Sequence, residues 1–131
     1  MATTTAQIQL SSPDLTGDTI NISKQTSLNK AGLSTGLDQT SGIGKKITTA
    51  SSQYTLFAQA DYTDSKAHKI YLRVPSTNAT EYATVTIGSQ EVGRLYGGDF
   101  MFFPWSGTDD LKITPSVSTA FALEYFLIFE V

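Results

Sequence analysis

The chain has 131 residues, a net charge of −3, 40% hydrophobic residues and only 16% charged ones. That length is one domain's worth with room for a real core, and the acidic balance excludes a basic groove for nucleic acid. With no cysteine, a disulfide framework, a thiolate zinc site and a thiol nucleophile are excluded, and no apolar run is long enough for a membrane-spanning helix.

Ser and Thr fill the polar positions that Glu and Lys usually hold. Thr is β-branched and Ser competes for backbone hydrogen bonds, so this composition favours strands and turns over helices. The opening MATTTAQIQL has no basic segment followed by an apolar one, so no signal peptide is expected. The product is then expected to stay where it is made, unless it leaves in a particle or by lysis. The sequons at Asn21 and Asn78 read as chance matches in such a chain.

Strands are predicted at Thr5–Leu10 and Thr19–Leu28. The stretch Lys30–Ala50 has glycines at 32, 36, 42 and 44 and little periodicity, and reads as an extended arm or long loop. Its Leu33, Leu37 and Ile43 are expected to anchor it in shallow pockets, its own or a neighbour's. A weaker strand is expected at Lys46–Thr49. No aromatic residue precedes Tyr54. This divides the chain into an aromatic-free N-terminal arm with early strands, residues 1–53, and a β-sandwich body, residues 54–131. Charge divides there too, at +1 and −4.

The body reads as strands at Tyr54–Ala60, Ala67–Val74, Tyr82–Ile87, Gln90–Tyr96, Asp99–Pro104, Leu111–Thr114 and Ala120–Val131. In Ala67–Val74, His68, Ile70, Leu72 and Val74 face one way, and Lys69, Tyr71 and Arg73 the other. Ala120–Val131 carries helix formers. Its unbroken alternate set Phe121, Leu123, Tyr125, Leu127, Phe129 and Val131 favours a strand. Roughly eight or nine strands at this spacing predict an all-β fold, an antiparallel β-sandwich or a jelly roll, with an extended N-terminal arm.

Asp99–Pro104 is apolar on both faces. A two-residue turn at Gly88-Ser89 puts Val85 opposite Val92 and Thr86 opposite Glu91. A second turn at Gly97-Gly98 puts Leu95 opposite Phe100, Gly93 opposite Phe102 and Val92 opposite Phe103. Val85, Val92 and Phe103 then share a core face. Tyr82, Leu95, Phe100 and Phe102 are left needing a cover: the arm, a second sheet or a neighbouring subunit. Interface candidates are therefore Tyr82, Leu95, Phe100, Phe102 and Trp105, with Phe126 and Ile128 from the outer set of the last strand and Leu33 and Leu37 from the arm.

Signals for catalysis are weak. The single histidine, His68, lies on an apolar strand face and reads as a core residue. Asp61 with Asp64, and Asp109 with Asp110, read as turn formers rather than calcium ligands or paired acids. Gly42-Ile43-Gly44-Lys45-Lys46 lacks the spacing of a phosphate loop. No cofactor, metal or catalytic residue is expected. Trp105 reads as a core cap beside Pro104, with sugar stacking the lesser reading.

The segment Gly93–Trp105, GRLYGGDFMFFPW, resembles small β-rich virion structural proteins of tailed bacteriophages, including marine and cyanobacterial phages. The resemblance covers roughly 25 residues around that "RLYxGDxxFFPW"-like hairpin and does not extend to the N-terminal half. It implies a non-enzymatic virion component made in the host cytoplasm. The implied role is a capsid decoration or cement protein that binds the major capsid protein or another virion protein, often as a trimer. The alternative is a carbohydrate-binding or attachment module of a head or tail fibre.

Overall fold

A computed structural model describes residues 3–131. Two compact units divide the chain, one ending at Asp38 and the other running from Gln39 to Val131. The compositional boundary near residue 53 does not coincide with this division, because residues 39–48 supply strands to the second unit.

The first unit is built on a two-stranded antiparallel ribbon, β1 (Thr5–Ser12) and β2 (Ile20–Ser27), paired without a break from Thr5 opposite Ser27 to Ser12 opposite Ile20. β1 runs two residues beyond its predicted end, and β2 falls one residue short of its predicted bounds at each end. At the ribbon's tip the Ser12 hydroxyl accepts the Leu15 N–H at 3.1 Å, a local side-chain turn of the kind Ser favours. After β2 the chain doubles back on itself. Leu37 N–H donates to the Leu28 carbonyl at 3.0 Å, and Lys30 bridges Asp38 at 3.0 Å. Leu28 and Leu37 are buried, whereas Leu33 and, in the second unit, Ile43 are exposed. Of the three expected anchors, only Leu37 is buried.

The second unit is a sandwich of two antiparallel sheets. One has four strands in the order β5-β10-β7-β8: β5 (Tyr54–Phe57), β10 (Leu111–Pro115), β7 (Tyr82–Ile87) and β8 (Gln90–Tyr96). In the other, β11 (Phe121–Phe129) pairs on one side with β3 (Gln39–Thr40) and β4 (Gly44–Thr48), and on the other with β6 (His68–Arg73), which pairs with β9 (Phe100–Trp105). The end of the chain is a strand, as its alternation predicts. Strands β6 and β11 bury His68, Ile70 and Leu72, and Phe121, Leu123 and Leu127, all from the predicted inward sets. With Val85, Leu95, Leu111 and Ile113 from the opposing sheet they form one continuous core.

Two register expectations fail. Val85 stands opposite Gly93, while Thr86 stands opposite Glu91. Val92 is thus an extra residue, a β-bulge in an edge strand, and is exposed rather than in the core. The larger correction concerns Gly97-Gly98. Strands β8 and β9 do not pair; β9 pairs with β6, with Tyr71 opposite Phe102 and Arg73 opposite Phe100. The two glycines carry the chain from one sheet to the other. At this corner Gly97 N–H donates to the Glu81 carbonyl at 3.0 Å and Gly98 N–H to the Val74 carbonyl at 2.8 Å. A Cβ on Gly97 would overlap the Asn78 carbonyl, and Gly98 has a φ of 92°. Both positions therefore require glycine, one for space and one for backbone conformation. Gly93, expected to make room for the Phe102 ring, has open space around its Cβ position.

Candidate functional site

Alternation along β9 sorts its residues. Met101, Phe103 and Trp105 turn towards the core. Phe100 and Phe102 point outwards and remain 66% and 43% exposed. Register across the sheet then builds an outward row, Phe102 beside Tyr71 beside Phe126. A second row runs Phe100, Arg73, Glu124, Lys45. In it Arg73 Nη1 reaches Glu124 Oε2 at 3.4 Å, a partly exposed pair worth little to stability. Lys69, next along β6, donates to the Ala67 carbonyl at 2.9 Å, and partial burial lowers its pKa while Glu130 opposes that shift. The outer face is thus an aromatic strip edged by one ion pair and one restrained lysine. Large exposed rings in contiguous positions mark interaction surfaces more often than isolated ones do.

Within the second unit the expected interface residues do not gather in one place. Phe100, Phe102 and the half-buried Phe126 share this face. Leu95 and Trp105 lie in the sandwich core, and Ile128 and Leu37 are buried, which leaves them no surface to share with a partner. Leu33 is exposed in the first unit. Tyr82 belongs to the other sheet, where its ring lies 5.1 Å from that of Tyr96 and the Arg94 guanidinium sits 4.8 Å over it. Arg94 is held by Glu91 at 3.1 Å, a bond that raises its pKa further. The Val92 bulge makes this contact possible, since an uninterrupted strand would send residues three apart to opposite faces.

Tyr71 was missed as a surface residue of interest. Its outward position was legible in the alternation of β6; its place between two phenylalanines depends on pairings with residues 102 and 126 that no local signal encodes.

The groups with potential for chemistry are engaged structurally. Trp105 Nε1–H donates to the Asp109 carbonyl at 2.9 Å, and the ring stacks among Phe57, Tyr62 and His68. It caps the core, as its position beside Pro104 predicts. His68 is fully buried. Its Nδ1 accepts the Glu130 N–H at 3.3 Å, which assigns the proton to Nε2, and Nε2 donates to the Thr63 carbonyl at 2.7 Å. Asp110 accepts the Gln59 N–H at 2.8 Å, a long-range tie between the segment after β5 and the one before β10 rather than the local turn bond expected of it. Among the described residues no three His, Asp or Glu side chains cluster as metal ligands would, and no helix is long and apolar enough to cross a membrane.

No protein-family model matches the chain, and no curated protein matches it. Among solved structures it is similar to the crystal structure of Yersinia pseudotuberculosis-derived mitogen. That similarity has 12% identity and a TM-score of 0.47, and covers 70% of this chain and 86% of that one.

Proposed function

We propose that this protein is a non-enzymatic virion structural component, a decoration or cement-type protein that docks on a phage head shell through the outer face of its five-stranded sheet. The observation that carries the reading is the outward strip of exposed Phe100 and Phe102 beside half-buried Tyr71 on the five-stranded sheet. The resemblance of Gly93–Trp105 to phage virion proteins supplies the class of partner. Docking there shares apolar area between neighbouring shell subunits, and area removed from water at about 25 cal/mol per Å² adds to the shell's resistance to heat. The lone histidine, buried with both nitrogens bonded, supports a binding role over a catalytic one.

The test is co-sedimentation with tailed-phage head shells assembled from their major capsid protein. The intact chain should pellet with the shells and raise their melting temperature. The double variant Phe100→Asp, Phe102→Asp should stay in the supernatant. Failure of the intact chain to pellet, or pelleting of the variant to the same extent, would overturn the assignment.

A second reading, glycan attachment, is favoured by exposed Tyr96 paired with half-buried Tyr82 and Arg94, since a tyrosine ring at the surface beside a hydrogen-bonding cation suits sugar stacking. Glycan-array binding lost in Tyr96→Ala and kept in the Phe100→Asp, Phe102→Asp variant would select it.

A further inference from the structure

His68 and Glu130 meet where two strands run out. Ala67 lies just before β6 and Glu130 just after β11, and there side chains take over from the ladder. The Glu130 carboxylate accepts the Ala67 N–H at 3.0 Å, and the Glu130 N–H donates to His68 Nδ1 at 3.3 Å. The Lys69 ammonium donates to the Ala67 carbonyl at 2.9 Å. Glu130 is buried in this arrangement, while Val131 beside it is exposed.

The closed site has no place for a second imidazole proton. Nε2–H already points at the Thr63 carbonyl at 2.7 Å, and a hydrogen on Nδ1 would face the Glu130 N–H. An imidazolium donates from both nitrogens, so one donor would be set against another. The rings of Tyr62, Trp105 and Phe129 wall the site, and a charge there without a partner is costly. Lys69, a cation on β6, repels a further positive charge beside it; Tyr62 in the preceding loop and the Val131 terminus are the other ionisable neighbours. Asp109, in the loop beside Gly107, lays its carboxylate against Gly88 instead. The one wall that His68 itself holds is the chain end.

We infer that the chain end is an acid-released latch: protonation of His68 at Nδ1 expels the Glu130 N–H and frees Glu130 and Val131 from the start of β6, while the sandwich core stays folded. The sign follows from where the proton can go. Neutral His68 accepts the Glu130 N–H and holds the latch closed. Only the open form offers Nδ1–H a water acceptor. Opening therefore rises as pH falls through the range in which imidazole in water takes up its proton, about 6.5, by up to about tenfold per pH unit. The release is local, because strand ends open well below the free energy of global unfolding, and Ile70 and Leu72 on the same strand are fully buried in the core.

This inference goes beyond shell docking and is read on the free chain. Nuclear magnetic resonance of the 15N-labelled protein from about pH 8 to about pH 5 spans the imidazole range. The His68 nitrogens should show the Nε2–H tautomer at the top of that range and the imidazolium at the bottom. Protection of the Ala67 and Glu130 amides against hydrogen exchange should fall in step, by up to about tenfold per pH unit, while the Ile70 and Leu72 amides keep theirs. Glu130→Gln retains an oxygen acceptor for the Ala67 N–H and removes the carboxyl, so its profile should match that of the native chain. Loss of the pH dependence in Glu130→Gln would make the carboxylate the trigger and overturn the inference. The native chain decides without any variant. An imidazole that takes its proton with both amides still protected, one that stays neutral with protection unchanged, or loss of protection at Ile70 and Leu72 at the same pH would each overturn it as well.

Discussion

Gly97 is pressed against the carbonyl of Asn78, with the Ser76 carbonyl close behind. This contact holds the corner at which the chain leaves the four-stranded sheet and enters the five-stranded one. Any side chain there must push backbone aside, and overpacking of a rigid site costs about 1–3 kcal/mol. Gly97→Ala should therefore lower the unfolding midpoint in urea by a clear margin. Gly93→Ala, where the Cβ meets nothing within 4 Å, should change stability by no more than about 0.5 kcal/mol. Had β8 and β9 formed a hairpin with Gly93 under the Phe102 ring, the order of sensitivity would be reversed.

That reversal shows where the sequence is readable. Strand positions were legible almost throughout, because alternation and glycine or proline punctuation are local: Tyr82–Ile87 and Gln90–Tyr96 match their predicted bounds. Partners were not. A Gly-Gly pair between two apolar strands looks the same whether the chain folds back beside itself or crosses to a second sheet. The choice is made by residues 68–73, which lie some thirty positions away and pair with β9. The same holds for the candidate surface. The outward direction of Phe100 and Phe102 follows from alternation, and so does the inward direction of Trp105. Leu95 falls with Phe100 and Phe102 in the sequence reading because no local signal marks the Val92 bulge; with Gly93 rather than Val92 opposite Val85, Leu95 turns into the core. The two-residue strand Gln39–Thr40 lay hidden in a glycine-rich stretch, since its place depends on pairing with Ile128 and Phe129 rather than on any pattern of its own.

His68 ties the end of the chain to the loop before β6. Its two nitrogens serve Glu130 N–H and the Thr63 carbonyl, and a Cβ on Gly107 would stand 3.1 Å from Nε2. His68→Leu fills a similar volume but leaves the buried Glu130 N–H without its acceptor, at a cost of about 1–3 kcal/mol. Calorimetry should show a lowered melting temperature for His68→Leu. Unchanged stability would mean that packing among Tyr62, Trp105 and Phe129, rather than hydrogen bonding, is what the site requires.

Tyr54 gives the fold an alkaline limit with a definite sign. Burial, and secondarily the nearby Tyr125, push its pKa up to about 12 from 10.0. Lys46 lies 4.6 Å over the ring. Below about pH 10 the phenol is protonated in both folded and unfolded chains, so its contribution is fully present there. Between about pH 10 and about pH 12 the unfolded chain releases this proton first, and stability falls as pH rises through the folded value. The slope is shallower than the ~1.4 kcal/mol per pH unit of a full one-proton difference, because the ring is only half-buried and water screens it. Urea midpoints measured across this range should decline more steeply in the native chain than in Tyr54→Phe. The phenylalanine variant keeps an aromatic ring under Lys46 and removes only the ionisable hydroxyl. Parallel pH profiles for the two proteins would show that the Tyr54 hydroxyl ionises as freely in the fold as in the unfolded chain.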